Sequence, residues 1–104
     1  MAHYVCLVSF TQEGMKNLNA TTKRAQAFQD KIEKLGIKIE HTFWTVGQYD
    51  IVHIFDAPDD KTAATLAFSL GSLGNVRTET MRAFNAKEME DIIKDVYSPY
   101  DLVS

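Results

Sequence analysis

Four stretches of the chain carry apolar residues at strand spacing, and two long stretches between them carry them at helix spacing. Residues 3–10, 37–46, 49–57 and 76–84 are rich in β-branched and aromatic side chains, as strands are. In 21–35, Ala25, Phe28, Ile32 and Leu35 recur at three- and four-residue steps, and in 59–73 Ala63, Leu66, Ala67 and Leu70 do the same. Each set falls on one helix face. Lys23, Arg24, Lys31 and Lys34 are assigned mostly to the opposite, solvated side of the first helix. Thr21 or Thr22 starts that helix and Gly36 stops it, while Pro58-Asp59-Asp60 opens the second and Gly74-Asn75 closes it. Asn85 with Glu88 three residues on forms a capping box for a last helix, whose apolar face is Met89, Ile92, Ile93 and Val96. Residues 11–18 are expected to be a short connection, in which Thr11 is placed to start a brief helical turn that Gly14 weakens. Pro99 ends the last helix, and 100–104 is a tail.

The second and third strands meet at Gly47-Gln48, which reads as the two-residue turn of a hairpin pairing Val46 with Tyr49, Phe43 with Val52 and His41 with Ile54. The order strand, helix, strand, strand, helix, strand, helix predicts an α+β fold: a ferredoxin-like βαββαβ sandwich with an extra C-terminal helix and an antiparallel sheet in order 4-1-3-2. The first strand is apolar on both parities, with Tyr4, Cys6, Val8 and Phe10 against Val5 and Leu7. In the third, Val52 and Ile54 oppose Tyr49, Ile51, His53 and Phe55. Both are therefore central strands, and the mixed fourth strand is an edge. Helices cover only one sheet face, so a second copy is expected to cover the other in a two-fold dimer. Ile51 is assigned to that uncovered face and Val52 to the core.

A chain of 104 residues predicts one domain, 1–104, able to bury a core without disulfide or metal. The net charge of −3, with acids and bases interspersed, argues against nucleic acid as a partner. The sole cysteine, Cys6, excludes an internal disulfide and reads as a small buried hydrophobe. No leader precedes the first strand and no apolar run is long enough for a membrane, so a cytoplasmic, soluble protein is expected.

The chemistry-bearing residues are few. His53 lies mid-strand on a central strand and is the first choice for a general base, since imidazole titrates near neutrality. Tyr49 is the second proton-moving candidate. Asp50 either fixes the turn through backbone amides or belongs to a pocket with Tyr49. Arg82 and Thr80 share a face with Thr78 and are candidates for holding a carboxylate or enolate oxygen, or Arg82 pairs with an acid at a subunit interface. Trp44, with Phe43 and Phe55, is a candidate wall of an aromatic pocket. His3, His41 and His53 form no ligand set, and His41 and His53 are not directly opposed. No metal and no cofactor is expected, and no glycine motif for a nucleotide is present.

Several motifs in order carry a resemblance over nearly the whole chain: Y-V-C-L-V-S-F-T-Q-E-G from Tyr4 to Gly14, G-Q-Y-D from Gly47 to Asp50, A-P-D-D from Ala57 to Asp60, and L-G-S-L-G-N-V-R-T with M-R-A-F between Leu70 and Phe84. Together they resemble the GYD domain family. The resemblance implies the dimeric α+β barrel architecture, two ferredoxin-like subunits packed sheet to sheet, and implies no particular reaction. Better-known members of that wider superfamily include cofactor-independent monooxygenases, isomerases, haem-degrading enzymes and ligand-sensing domains. Two functions are compatible with the residues. One is a dimeric barrel that binds a small flat or acidic molecule, with or without catalysis, in which His53 or Tyr49 moves protons and an arginine steadies negative charge. The other is a non-enzymatic self-assembling or ligand-sensing regulatory module.

Overall fold

In the computed structural model, which describes residues 1–97, the alternating stretches become strands and the stepped stretches helices. The order is β1 (Ala2–Phe10), α1 (Gln12–Lys16), α2 (Thr21–Ile32), β2 (Lys38–Trp44), β3 (Ile51–Ala57), α3 (Asp60–Ser72), β4 (Val76–Ala83) and α4 (Ala86–Lys94). The expected stop at Pro99 and the tail at 100–104 lie outside the described residues. The sheet runs β2-β3-β1-β4 with every neighbour antiparallel, so β1 and β3 are central as their two-sided apolarity predicts. The capping box forms: Asn85 accepts from the Glu88 amide, and Glu88 accepts from the Asn85 amide. Asp59 caps α3 through the amide and hydroxyl of Thr62, and these bonds hold its carboxyl below its usual value.

The hairpin keeps its expected register, with Phe43 opposite Val52 and His41 opposite Ile54, but its loop is wider than two residues. The Thr45 amide donates to the Asp50 carbonyl at 2.8 Å, which leaves Val46 to Tyr49 as the loop. Gly47 sits there at φ 148°, outside the range other residues adopt easily. Glu40 is an extra residue on β2, since Ile39 faces Phe55 and His41 faces Ile54.

In residues 11–18 a brief helical turn does start at Thr11. Thr11 caps the short helix α1, and Gly14 is required there for a reason other than helix propensity. A Cβ on Gly14 would stand 2.0 Å from the Asn75 carbonyl oxygen. Thr11 also donates from its amide to the Asn75 carbonyl and from its hydroxyl to the Gly74 carbonyl, at 3.0 and 2.7 Å. The segment after β1 is thus pinned against the segment before β4, and only a residue without a side chain permits that approach.

The core lies between the sheet and α2 and α3. Cys6, Val8, Phe55 and Leu66 are fully buried, and Tyr4 stacks on Phe55 with ring centres 5.3 Å apart. Burial raises the pKa of the Cys6 thiol, as suits a packing residue. The parity assigned to β3 is reversed. Ile51, 5 % exposed, belongs to the core with His53 and Phe55, whereas Val52 and Ile54 point to the helix-free face and are only half-buried. Both parities are apolar, so sequence alone had no physical basis for choosing between them. α4 follows β4 directly but buries none of its residues; Met89, Ile92 and Ile93 of its expected stripe are exposed, and Val96, also exposed, lies beyond its end.

Candidate functional site

The strand registers divide the candidate residues between the two faces of the sheet. Thr42 and His53 are paired across β2 and β3 on the helix-covered face, and the Thr42 hydroxyl lies 2.9 Å from His53 Nδ1. His53 is 7 % exposed, and burial lowers its pKa, so the ring is neutral near pH 7. Trp44 is on the same face, opposite Ile51, and its indole N–H donates to the Thr21 hydroxyl at 3.1 Å. His53 borders a narrow cleft between α2, the end of α3 and the sheet, together with Thr21, Arg24, Phe28, Ile51 and Leu70.

Tyr49 is on the other face. It leaves the hairpin loop, passes across β1 and donates to Glu79 of β4 at 2.8 Å. That hydrogen bond, which favours the protonated phenol, is the main cause of its raised pKa. The sheet therefore separates Tyr49 from His53, and the two cannot act on one substrate atom. Asp50 holds strands together: its carboxylate accepts from the Phe10 amide at 2.8 Å, and its own amide donates to the Val8 carbonyl at 2.8 Å. Its carboxylate and amide thus tie the hairpin loop to the end of β1, while its carbonyl closes the loop on Thr45.

Arg82 and Thr80 are on the covered face but away from His53, bordering an open groove between α3 and β4. The guanidinium of Arg82 donates to the His3 carbonyl at 3.2 Å and to the Ala83 carbonyl, lies over the Tyr4 and Phe84 rings, and stands 3.8 Å from Glu88. Its acidic partner is thus in its own chain, and the residue joins α4 to the sheet. Tyr4, beside it, donates to Asp60, and burial followed by that bond raises its pKa. The Thr80 hydroxyl is buried without a hydrogen-bond partner among the described residues. Also among the described residues, no group of His, Cys, Asp and Glu is placed to hold a metal ion.

Arg24 is the residue that sequence reasoning passes over. Its charge assigns it to the solvated side of its helix, yet it is half-buried and borders the His53 cleft. The signal available was spacing: Thr21, Arg24 and Phe28 stand at three- and four-residue steps, so they share a helix face.

The helix-free face has an apolar centre and polar ends. Val5, Leu7, Val52 and Ile54 form its middle, with Phe43 54 % and Met81 47 % exposed beside them. At one end His3 Nδ1 lies 2.5 Å from Asp56 and its Nε2 3.5 Å from Glu88. At the other are Tyr49, Glu79 and Arg77.

Comparison with known proteins agrees with this architecture. A protein of Thermus thermophilus, named glutamine synthetase and cystathionine beta-lyase binding protein, is 26 % identical over 90 residues, covering 86 % of this chain and 95 % of that one. The crystal structure of TTHA0845, also from Thermus thermophilus, superposes with a TM-score of 0.54 at 25 % identity, covering 83 % of this chain and 96 % of the other. The GYD domain pattern matches residues 4–93, nearly the full span of the sheet and its helices, and the chain belongs to the GYD domain family.

Proposed function

We propose that the protein is a single-domain, cytoplasmic homodimer that works by binding other proteins and runs no reaction of its own. The observation that carries this reading is the uncovered sheet face, with Val5, Leu7, Val52, Ile54, Phe43 and Met81 between two polar ends. An apolar middle with a polar rim is the anatomy of a protein interface. A second copy laid on that face removes a few hundred Å² of apolar surface per subunit from water, roughly several kcal/mol gross at about 25 cal/mol per Å². Association entropy takes back part of that, which leaves room for a stable but ordinary dimer.

The stripe on α4 supports the second half of the reading. Met89, Ile92 and Ile93 lie on one exposed side of a well-capped helix that its own sheet leaves uncovered, with Val96 exposed just past its end. An amphipathic helix of this kind suits an apolar groove on a partner. The name of the Thermus relative points the same way, toward glutamine synthetase and cystathionine beta-lyase as partners. The separation of Tyr49 from His53, and the engagement of Arg82 within its own chain, weigh against a catalytic centre built from those residues.

Sedimentation velocity at micromolar concentration is expected to give a dimer, and a monomer with an ordered sheet would overturn the assembly. Purified glutamine synthetase and cystathionine beta-lyase from the same organism then test the partner. At least one is expected to co-elute with the protein, and Ile92→Glu combined with Ile93→Glu is expected to abolish co-elution while leaving the dimer intact. Absence of binding to both enzymes at about 10 μM, the concentration scale of a weak specific complex, removes the protein-binding reading.

A further inference from the structure

One cavity on the covered side has no part in that reading. Arg24, Phe28, Ile51, His53, Leu70 and Val76 are among its walls, and Thr21, bonded to Trp44, stands at its edge. Its free space is about 60 Å³, room for more than one water. We propose that this cleft binds a small apolar carboxylic acid, of short-chain or single-ring size, with its carboxylate on Arg24 and His53 and its hydrocarbon part against the apolar walls.

The charge and the donors select the class of ligand. Arg24 makes no ion pair or hydrogen bond to the described residues, although it is half-buried and adjoins an apolar space. A guanidinium presents a planar fork of donors that matches a carboxylate. In His53, Nδ1 is taken up by the Thr42 hydroxyl, which leaves Nε2 as the free polar atom of the ring. In the tautomer in which the hydroxyl donates to Nδ1, the neutral ring carries its proton on Nε2 and offers a second donor. The remaining walls are mostly hydrocarbon: Val8, Phe10, Ala25, Leu70 and Leu73 add no charge. A sugar or a nucleotide would leave many polar groups unpaired there. A short apolar acid satisfies both the cation and the walls. The site lies within one subunit and does not depend on the dimer.

Nuclear magnetic resonance titration of the full chain with benzoate and hexanoate tests the proposal, with benzyl alcohol as the uncharged match to benzoate. Saturable shifts are expected at residues of the cleft such as Ala25 and Leu70, with benzyl alcohol weaker than benzoate. Arg24→Gln should weaken benzoate by about tenfold or more, the loss of a charge-assisted contact. Lys23→Gln, one position away on the exposed side, should leave affinity unchanged. Val52→Asp, which faces away from the cleft, should bind benzoate like the wild type even where it separates the subunits. The proposal is overturned if neither acid saturates by about 10 mM, a generous limit for a small ligand. It is equally overturned if benzyl alcohol binds as tightly as benzoate, if folded Arg24→Gln binds as tightly as the wild type, or if folded Val52→Asp loses the acid.

Discussion

The two faces of the central strands are made of nearly the same residue types and have different fates. On one, Tyr4, Cys6, Val8, Ile51 and Phe55 are sealed beneath α2 and α3. On the other, Val5, Leu7, Val52 and Ile54 are half-buried by their strand neighbours alone. Valine and isoleucine occur on both sides, so side-chain chemistry does not decide which face is core. The helices decide it, through the connections that carry them to one side. The exposed polarity also differs. The covered face holds one buried polar ring, His53, partnered by Thr42, whereas the open face has its polar groups at its ends.

The sharpest way to break this contrast is a charge placed on each side of one strand. Ile51→Asp puts a carboxylate among hydrocarbon beneath the helices and removes a packed side chain. It should cost about 4 kcal/mol or more and leave little folded protein, as read by circular dichroism and urea unfolding. Val52→Asp, the next residue, should keep the secondary structure and weaken self-association by about a hundredfold or more in sedimentation, because an unpaired charge is then desolvated only on dimerisation. A folded Ile51→Asp protein, or an unfolded Val52→Asp one, would reverse the face assignment.

Histidine titration sharpens the comparison at smaller amplitude. Burial lowers the folded-state pKa of His53 below its ordinary value of 6.5. At pH values between the folded and unfolded pKa the unfolded chain binds more protons, so stability is full above the unfolded value and is lost as pH falls below it. Wild-type stability should therefore decline as pH falls below about 6.5, and His53→Asn should flatten that slope. An unchanged slope would mean that His53 is not held neutral in the core.

The smallest effect is expected on the open face. Tyr49→Phe removes an exposed bond to Glu79 and should move the thermal midpoint by less than about 2 °C, as surface pairs generally do. It should also remove one late-titrating phenol from an ultraviolet pH scan. A large loss of stability would place Tyr49 in a packing role.

Much of the fold was legible in the residues. Strand and helix periods, the Asn85–Glu88 capping box, the opening of α3 at Pro58-Asp59-Asp60, and the central places of β1 and β3 follow from local pattern, because caps and periodicity act within a few residues. The pattern of motifs from Tyr4 to Phe84 pointed to the family that the wider comparison supports. What the chain alone left open was set by contacts between distant segments. Gly14 looked like a helix breaker, and only its approach to Asn75 explains it. Asp50 looked like a turn residue, and it bonds to Phe10, forty positions away. Tyr49, His53 and Arg82 looked like one constellation because they are polar residues on apolar strands. The sheet places the first on the opposite face from the other two, and β1 lies between the strands that carry the second and the third. Arg24, judged by its charge, belongs in water, but the packing of α2 on the sheet turns it toward the cleft. Sequence determines the period of each element, whereas the side on which a period is buried is a property of the assembled layers, because burial requires a second surface that local pattern does not contain.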